Sequence, residues 1–320
     1  MGGTMARKRI RILAAILLLT LWWNGDGVAA DKFFISIPGP TLSYAHLYYG
    51  QERGFFAQEG LDLQVLVVRG VIGLSSLMSG EIDITCHAGS GLAAVLRGLP
   101  IKIVNVTHDR PVHELIVAPT INSPAELKGK AIAVGSLEGT AAVIIRKILQ
   151  AKGLDAQKDV TLLSMDSPAR LQSLLSGKVA AGMVTPPTTY LAVDRGFRTM
   201  ARGRDYLRYL QTGVVATDAA IKQKRANIVR FLRGWNRALK FYQENPEVML
   251  PYIQKKLAVS DPKMARRMYD EDREAASLTG ILNPDGAREI LDTAREALRI
   301  KETVPLERVF DFSLAQEALK

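Results

Sequence analysis

One phrase of the chain is written twice, and that repeat constrains the fold more than any single residue does. The copies span residues 33–86 and 131–184. Each opens with a short apolar strand, at 33–37 or 131–134, followed by a glycine-bearing loop. The loops are Pro38-Gly39-Pro40-Thr41 and Gly135-Ser136-Leu137-Glu138-Gly139-Thr140. An apolar-periodic helix comes next, and in both copies it is expected to stop at Gly-Leu-Asp (60–62 or 153–155), where a second strand starts. A second helix then ends in Leu77-Met78-Ser79-Gly80-Glu81-Ile82-Asp83 or Leu174-Leu175-Ser176-Gly177-Lys178-Val179-Ala180. A strand-helix-strand-helix-strand unit makes a parallel sheet with crossover helices, and ligands bind beyond the carboxyl ends of its strands. Two such units predict an α/β protein of two lobes with a cleft between them.

The first residues stand apart from this plan. Arg7, Lys8, Arg9 and Arg11 precede an apolar run at 12–23, and Val28-Ala29-Ala30 supplies small residues before Asp31. That is the form of a secretory signal peptide, expected over 1–30 and cleaved near Ala30. A run of twelve is short for a membrane span, which needs about 20 apolar residues. The expected location is therefore the periplasm. The formal charge is +10, but without the leader 38 Lys+Arg face 31 Asp+Glu, and the excess is scattered. Dense basic clusters with interleaved aromatics are missing, so nucleic acid is not an expected partner. The single cysteine, Cys86, excludes an intrachain disulfide and reads as a small buried residue.

Further strands are expected at 101–106, 113–118 and 211–217, and a short helix at 123–130 begins with Ser123-Pro124 and ends at Gly129. From Asp218 onward the pattern is helical. Ile228, Leu232, Trp235, Leu239 and Tyr242 share one helix face, and Asn245-Pro246, Asp261-Pro262 and Asn283-Pro284 each read as an N-cap followed by proline. This strandless tail is expected to pack on the first lobe. Lobe 1 then comprises 31–117 and 212–320, lobe 2 comprises 118–211, and the two chain crossings form a hinge.

Gly54-Phe55-Phe56-Ala57-Gln58-Glu59-Gly60-Leu61-Asp62, Leu77-Met78-Ser79-Gly80-Glu81-Ile82-Asp83 and Ser123-Pro124-Ala125-Glu126-Leu127-Lys128-Gly129-Lys130-Ala131-Ile132-Ala133-Val134 carry a family resemblance. They resemble the periplasmic substrate-binding proteins of ABC importers in the SsuA/THI5-like (NMT1; sulfonate, nitrate, taurine) branch. The resemblance covers 31 to about 250 and implies a type II periplasmic-binding fold, with a mostly parallel sheet in each lobe. It also implies a partner, an ABC permease in the inner membrane, to which a monomer delivers a small-molecule solute. Presentation to a membrane sensor is the alternative use of the same fold.

The strand-to-helix loops predict the ligand site. Lobe 1 offers Pro38, Gly39, Thr41, Ser43, Tyr44, His46, Arg69, His87, Gly89 and Ser90, and lobe 2 offers Ser136, Glu138, Gly139, Thr140, Asp166, Thr185 and Thr188. Glycines let a ligand approach the backbone, helix starts present N–H donors, and the hydroxyls donate or accept. Arg69 and Arg110 suit an anion, Glu138 and Asp166 suit an amine or heteroaromatic N–H, and Tyr44 suits a planar ring, so the solute stays open. Of the four histidines, His46, His87, His108 and His113, no two have HxH or HxxxH spacing, and no metal or cofactor is expected. THI5 relatives that make a pyrimidine carry a cysteine-rich motif, which one cysteine cannot supply. No GxSxG elbow is present, so binding without catalysis is the expectation.

Overall fold

Two five-stranded sheets built on the same plan organise residues 30–320, the part described by the computed structural model. The expected signal peptide, residues 1–29 of it, lies outside the described residues. The first sheet has the order β2 (Leu61–Val67), β1 (Asp31–Ile37), β3 (Ile84–Thr85), β10 (Thr212–Thr217), β4 (Ile101–His108). The second runs β7 (Thr161–Ser164), β6 (Ala131–Val134), β8 (Ala181–Val184), β5 (Glu114–Val117), β9 (Arg198–Arg202). In each, an antiparallel strand lies next to the third strand of the repeat: β10, which returns after the whole second sheet, and β5, which directly precedes the second repeat. β10 runs antiparallel to β3 and β4, and β5 runs antiparallel to β8 and β9. The central strands are buried on both faces, which is why Ile132-Ala133-Val134 and Leu115-Ile116-Val117 read as unbroken apolar runs.

Two expectations need correction. β5 belongs to the second sheet, so residues 114–117 fall in lobe 2 and the first crossing is only 109–113. Its letters predict a strand, but they carry no information on which sheet will flank it. In the first copy the leading helix α1 (Ala45–Glu52) ends well before Gly60, and a 3-10 turn at Ala57–Glu59 fills the interval. In the second copy α4 (Thr140–Ala151) does stop just before Gly153, but β7 starts only at Thr161. The remaining helices of the repeats are α2 (Gly70–Ser79), α3 (Ala88–Leu96), α5 (Ser167–Leu175) and α6 (Thr188–Val193). The segment at Pro124–Leu127 is a 3-10 turn.

The tail comprises α7 (Asp218–Gln223), α8 (Arg225–Glu244), α9 (Pro246–Lys256), α10 (Pro262–Ala275), α11 (Pro284–Leu298), α12 (Leu306–Val309) and α13 (Ser313–Ala318). Each Asn-Pro or Asp-Pro pair begins a helix, and the Asp261 and Asn283 side chains accept from Lys263 N and Gly286 N. The α8 stripe is buried against lobe 1, with Phe33 and Phe56 stacked on Phe231 and the Trp235 indole donating to Thr107 Oγ1 at 3.0 Å. The loop between α10 and α11 covers the free edge of β4 through Ser277 N to Thr107 O and Val106 N to Gly280 O, both 2.8 Å. Gly280 has φ +65°, and a Cβ there would lie 1.8 Å from Asn105 Nδ2, so only glycine fits.

Candidate ligand-binding cleft

The loops at the carboxyl ends of both sheets converge on one cleft, with about 820 Å³ of empty space including its open mouth. From lobe 1 it gathers Pro38, Thr41, Tyr44, Arg69, His87, Gly89 and Ser90, and from lobe 2 Ser136, Gly139, Thr140, Asp166 and Thr185. Four helices, α2, α3, α4 and α5, start at its wall, so their free N–H groups and positive dipole ends face a common space.

Several of these side chains are already engaged within the protein. The Tyr44 hydroxyl donates to Cys86 O at 3.0 Å, and burial raises its pKa well above that of a free phenol. Ser36, Thr85 and His87 form a chain, with Ser36 Oγ 2.7 Å from Thr85 Oγ1 and that oxygen 2.6 Å from His87 Nδ1. His87 Nε2 lies 2.9 Å from Val68 O, which only a protonated nitrogen can satisfy, so both ring nitrogens are occupied by protein. Burial lowers its pKa to about 4, leaving it neutral. Thr140 Oγ1 donates to Leu210 O in the second crossing at 2.7 Å, and Asp166 caps α5 by accepting from Ala169 N at 2.9 Å.

Six predicted residues stand outside this cleft. Gly39 is absent from the lining, although its neighbour Pro38 belongs to it. Ser43 Oγ donates to Asp272 Oδ1 at 3.1 Å and faces an adjoining chamber of about 490 Å³. Burial pushes the Asp272 carboxyl up, but His108, Tyr242 and His46 outweigh it and hold it below the usual carboxylate range. His46 is buried edge-on to Trp235 with ring centroids 4.4 Å apart, and burial lowers its pKa to about 3. Glu138 turns outward to pair with Arg97 of lobe 1. Thr188, which begins α6, and Arg110 of the first crossing both lie away from the lining.

Sequence reasoning missed Arg170, the most consequential side chain of the cleft. It lies in the first turn of α5, is 8 % exposed, and donates to Met183 O and Ser167 Oγ, both at 2.5 Å. Its Nε is buried without a hydrogen-bond partner, and its two hydrogen bonds go to neutral oxygens rather than to a carboxylate. Burial lowers its pKa to about 10, against a weaker raising effect of Asp166. The available signal was its position four residues after the N-cap Asp166, one turn into a helix already assigned to the cleft. His113 and Gln211, one from each crossing, also line the space, with His113 Nδ1 3.0 Å from Gln211 Oε1.

Comparison with known proteins places this arrangement. A family model described as NMT1/THI5 like matches residues 42–249. The chain belongs to the NMT1/THI5-like family. No curated protein matches its sequence. Among solved structures, one from Bordetella bronchiseptica RB50 is 20% identical with a TM-score of 0.79, covering 90% of this chain and 96% of its own. The periplasmic aliphatic sulphonate binding protein SsuA of Escherichia coli is 16% identical with a TM-score of 0.68, covering 89% of this chain and 99% of its own. A desulfurization enzyme, DszB, is 16% identical with a TM-score of 0.63, covering 90% of this chain and 99% of its own. At these identities the likeness is one of fold, the periplasmic-binding-protein architecture.

In this NMT1/THI5-like chain no three His, Cys, Asp or Glu side chains among the described residues are grouped to hold an ion. No described helix is long and apolar enough to cross a membrane.

Proposed function

We propose that this protein is an extracytoplasmic solute-binding protein that captures a small anion between its lobes and delivers it to an ABC permease. Arg170 is the observation that carries this reading. A buried guanidinium without a carboxylate is costly, and a ligand anion is the natural group to complete it. The four helix starts at the cleft wall add donors and favour the same charge. Family membership and the expected leader supply the export and transport context.

Binding without chemistry is favoured by the condition of the reactive side chains. Cys86 is buried with its thiol pushed up by burial, away from the thiolate a nucleophile needs. His87 has both nitrogens engaged. A thermal-shift screen of carboxylates, sulfonates and inorganic anions on the mature chain tests the reading, since a ligand that binds the native state raises Tm by mass action. The expected hit stabilises the wild type and leaves Arg170→Met unmoved. A hit consumed by the protein alone would overturn the reading in favour of an enzyme.

A further inference from the structure

His113 differs from the other three histidines in keeping one ring nitrogen open. His87 has both nitrogens engaged, and those of His46 and His108 are sealed from solvent. His113, in the first crossing, is half-buried and lines both the cleft and the adjoining chamber. Its backbone is fixed, with His113 O accepting from Gly203 N at 2.8 Å. Its Nδ1 stands 3.0 Å from Gln211 Oε1. Among the described residues its Nε2 has no hydrogen-bond partner, and it is not sealed in.

The neighbours decide which nitrogen carries the proton. Val112 N, which can only donate, lies 3.4 Å from the same Gln211 oxygen. That contact orients the Gln211 amide with its oxygen towards 112–113. An amide oxygen can only accept, so His113 Nδ1 is the protonated nitrogen and Nε2 carries a lone pair. Burial lowers the pKa of the ring to about 3, with the Arg170 cation acting in the same direction and the Gln211 bond opposing both. At neutral pH the ring therefore presents an acceptor. Around it Arg170 and the four helix starts offer donors, while Asp166 is already tied to Ala169 N at 2.9 Å. An anion with no hydrogen to share would set its oxygens against the His113 lone pair and leave that acceptor unpaired.

We propose that His113 sets the specificity of the cleft: Nε2 accepts a hydrogen bond from the solute, which is therefore an anion that also carries an O–H or N–H donor. This rests on the anion-binding reading, with Arg170 meeting the charge and His113 the hydrogen. Three pairs of probes differ mainly by one donor: lactate and propionate, isethionate and ethanesulfonate, hydrogen phosphate and sulfate. In calorimetric titration of the mature chain near neutral pH, the donor-bearing member of a pair is expected to bind about 5- to 150-fold more tightly, the range for a buried polar group left unpaired. His113→Phe is expected to bring that preference below about twofold. A general weakening lowers both members alike, so the ratio within a pair isolates the hydrogen bond. Equal affinities within every pair that binds, or a preference kept in His113→Phe, would overturn the inference and leave the anion reading standing. Binding of none of the six would overturn both. The wild type also reports directly, whether or not the variant folds. Its nitrogen-15 spectrum should show His113 Nε2 as an unprotonated, pyridine-type nitrogen that shifts upfield with the donor-bearing probe, and a protonated Nε2 would sink the proposal.

Discussion

Gly89 and Thr140 touch across the cleft so closely that a Cβ on the glycine would stand 2.6 Å from the Thr140 backbone nitrogen and 2.3 Å from its hydroxyl. Each residue lies in the first turn of a helix, α3 in lobe 1 and α4 in lobe 2, so the cleft walls meet at a point set by the absence of one methyl group. Gly89→Ala is therefore expected to force the two helix starts apart. Overpacking of this kind costs about 1–3 kcal/mol, and ligand affinity should fall about tenfold or more. Alanine suits a helix better than glycine, so the fold should survive. Calorimetric titration together with solution scattering checks both statements.

Arg170→Met addresses the anion directly. Truncating one partner of a buried charge pair costs about 2–5 kcal/mol, so affinity should drop by roughly 30-fold to more than 1,000-fold. The ligand-free variant should melt no lower than wild type by more than the two hydrogen bonds to Met183 O and Ser167 Oγ contribute, about 1–3 kcal/mol together. Undiminished binding in a folded variant would remove the basis for an anionic solute.

Thr140→Ala separates a hinge role from a ligand role. Its hydroxyl donates to Leu210 O, so the substitution should lower stability by about 1 kcal/mol. Affinity should change less than about threefold, because the backbone N–H at the helix start is retained. Urea denaturation and titration of the same preparation distinguish this from a tenfold affinity loss at constant stability.

Three histidines give the protein a pH dependence with a definite sign. Burial lowers the pKa of His46 and His113 to about 3 and of His87 to about 4, while an unfolded histidine titrates near 6.5. Below pH 6.5 the unfolded chain takes up protons that the folded one refuses. Their stabilising effect is thus complete above about pH 6.5 and is lost as pH falls towards 4 and then 3. Each contributes a slope of up to about 1.4 kcal/mol per pH unit in that window. Urea midpoints between pH 7.5 and 5.0 should fall accordingly, and His113→Gln should reduce the slope by one proton.

The repeat made the architecture legible because periodicity and helix stops are local properties of the letters. The α8 stripe and the Asn-Pro and Asp-Pro helix starts were readable for the same reason. The sheet to which β5 belongs was not, since Leu115-Ile116-Val117 would be equally satisfied between any two strands. In the cleft, residues on the strand-to-helix loops were found by position, whereas their engagement was hidden. Thr140 bonding to the crossing and Glu138 turning out to Arg97 depend on partners 70 and 41 residues away. Arg170 escaped because a lone arginine on a helix reads as a solvated face, and only packing reveals that it is buried.

The placement of β10 has a consequence for how such a chain can change over time. The second sheet is contiguous over 114–202, whereas the first takes its interior strand β10 from beyond that stretch, so no single cut yields two complete lobes. Recombination at one point between β4 and β10 would set β3 and β4 of one parent against the β10 of the other. Viable exchange of a whole lobe requires two breakpoints, one within 109–113 and one within 203–211. New solute preferences in this architecture should therefore arise by substitution in the cleft loops of an intact chain, while its lobes descend together as one heritable piece.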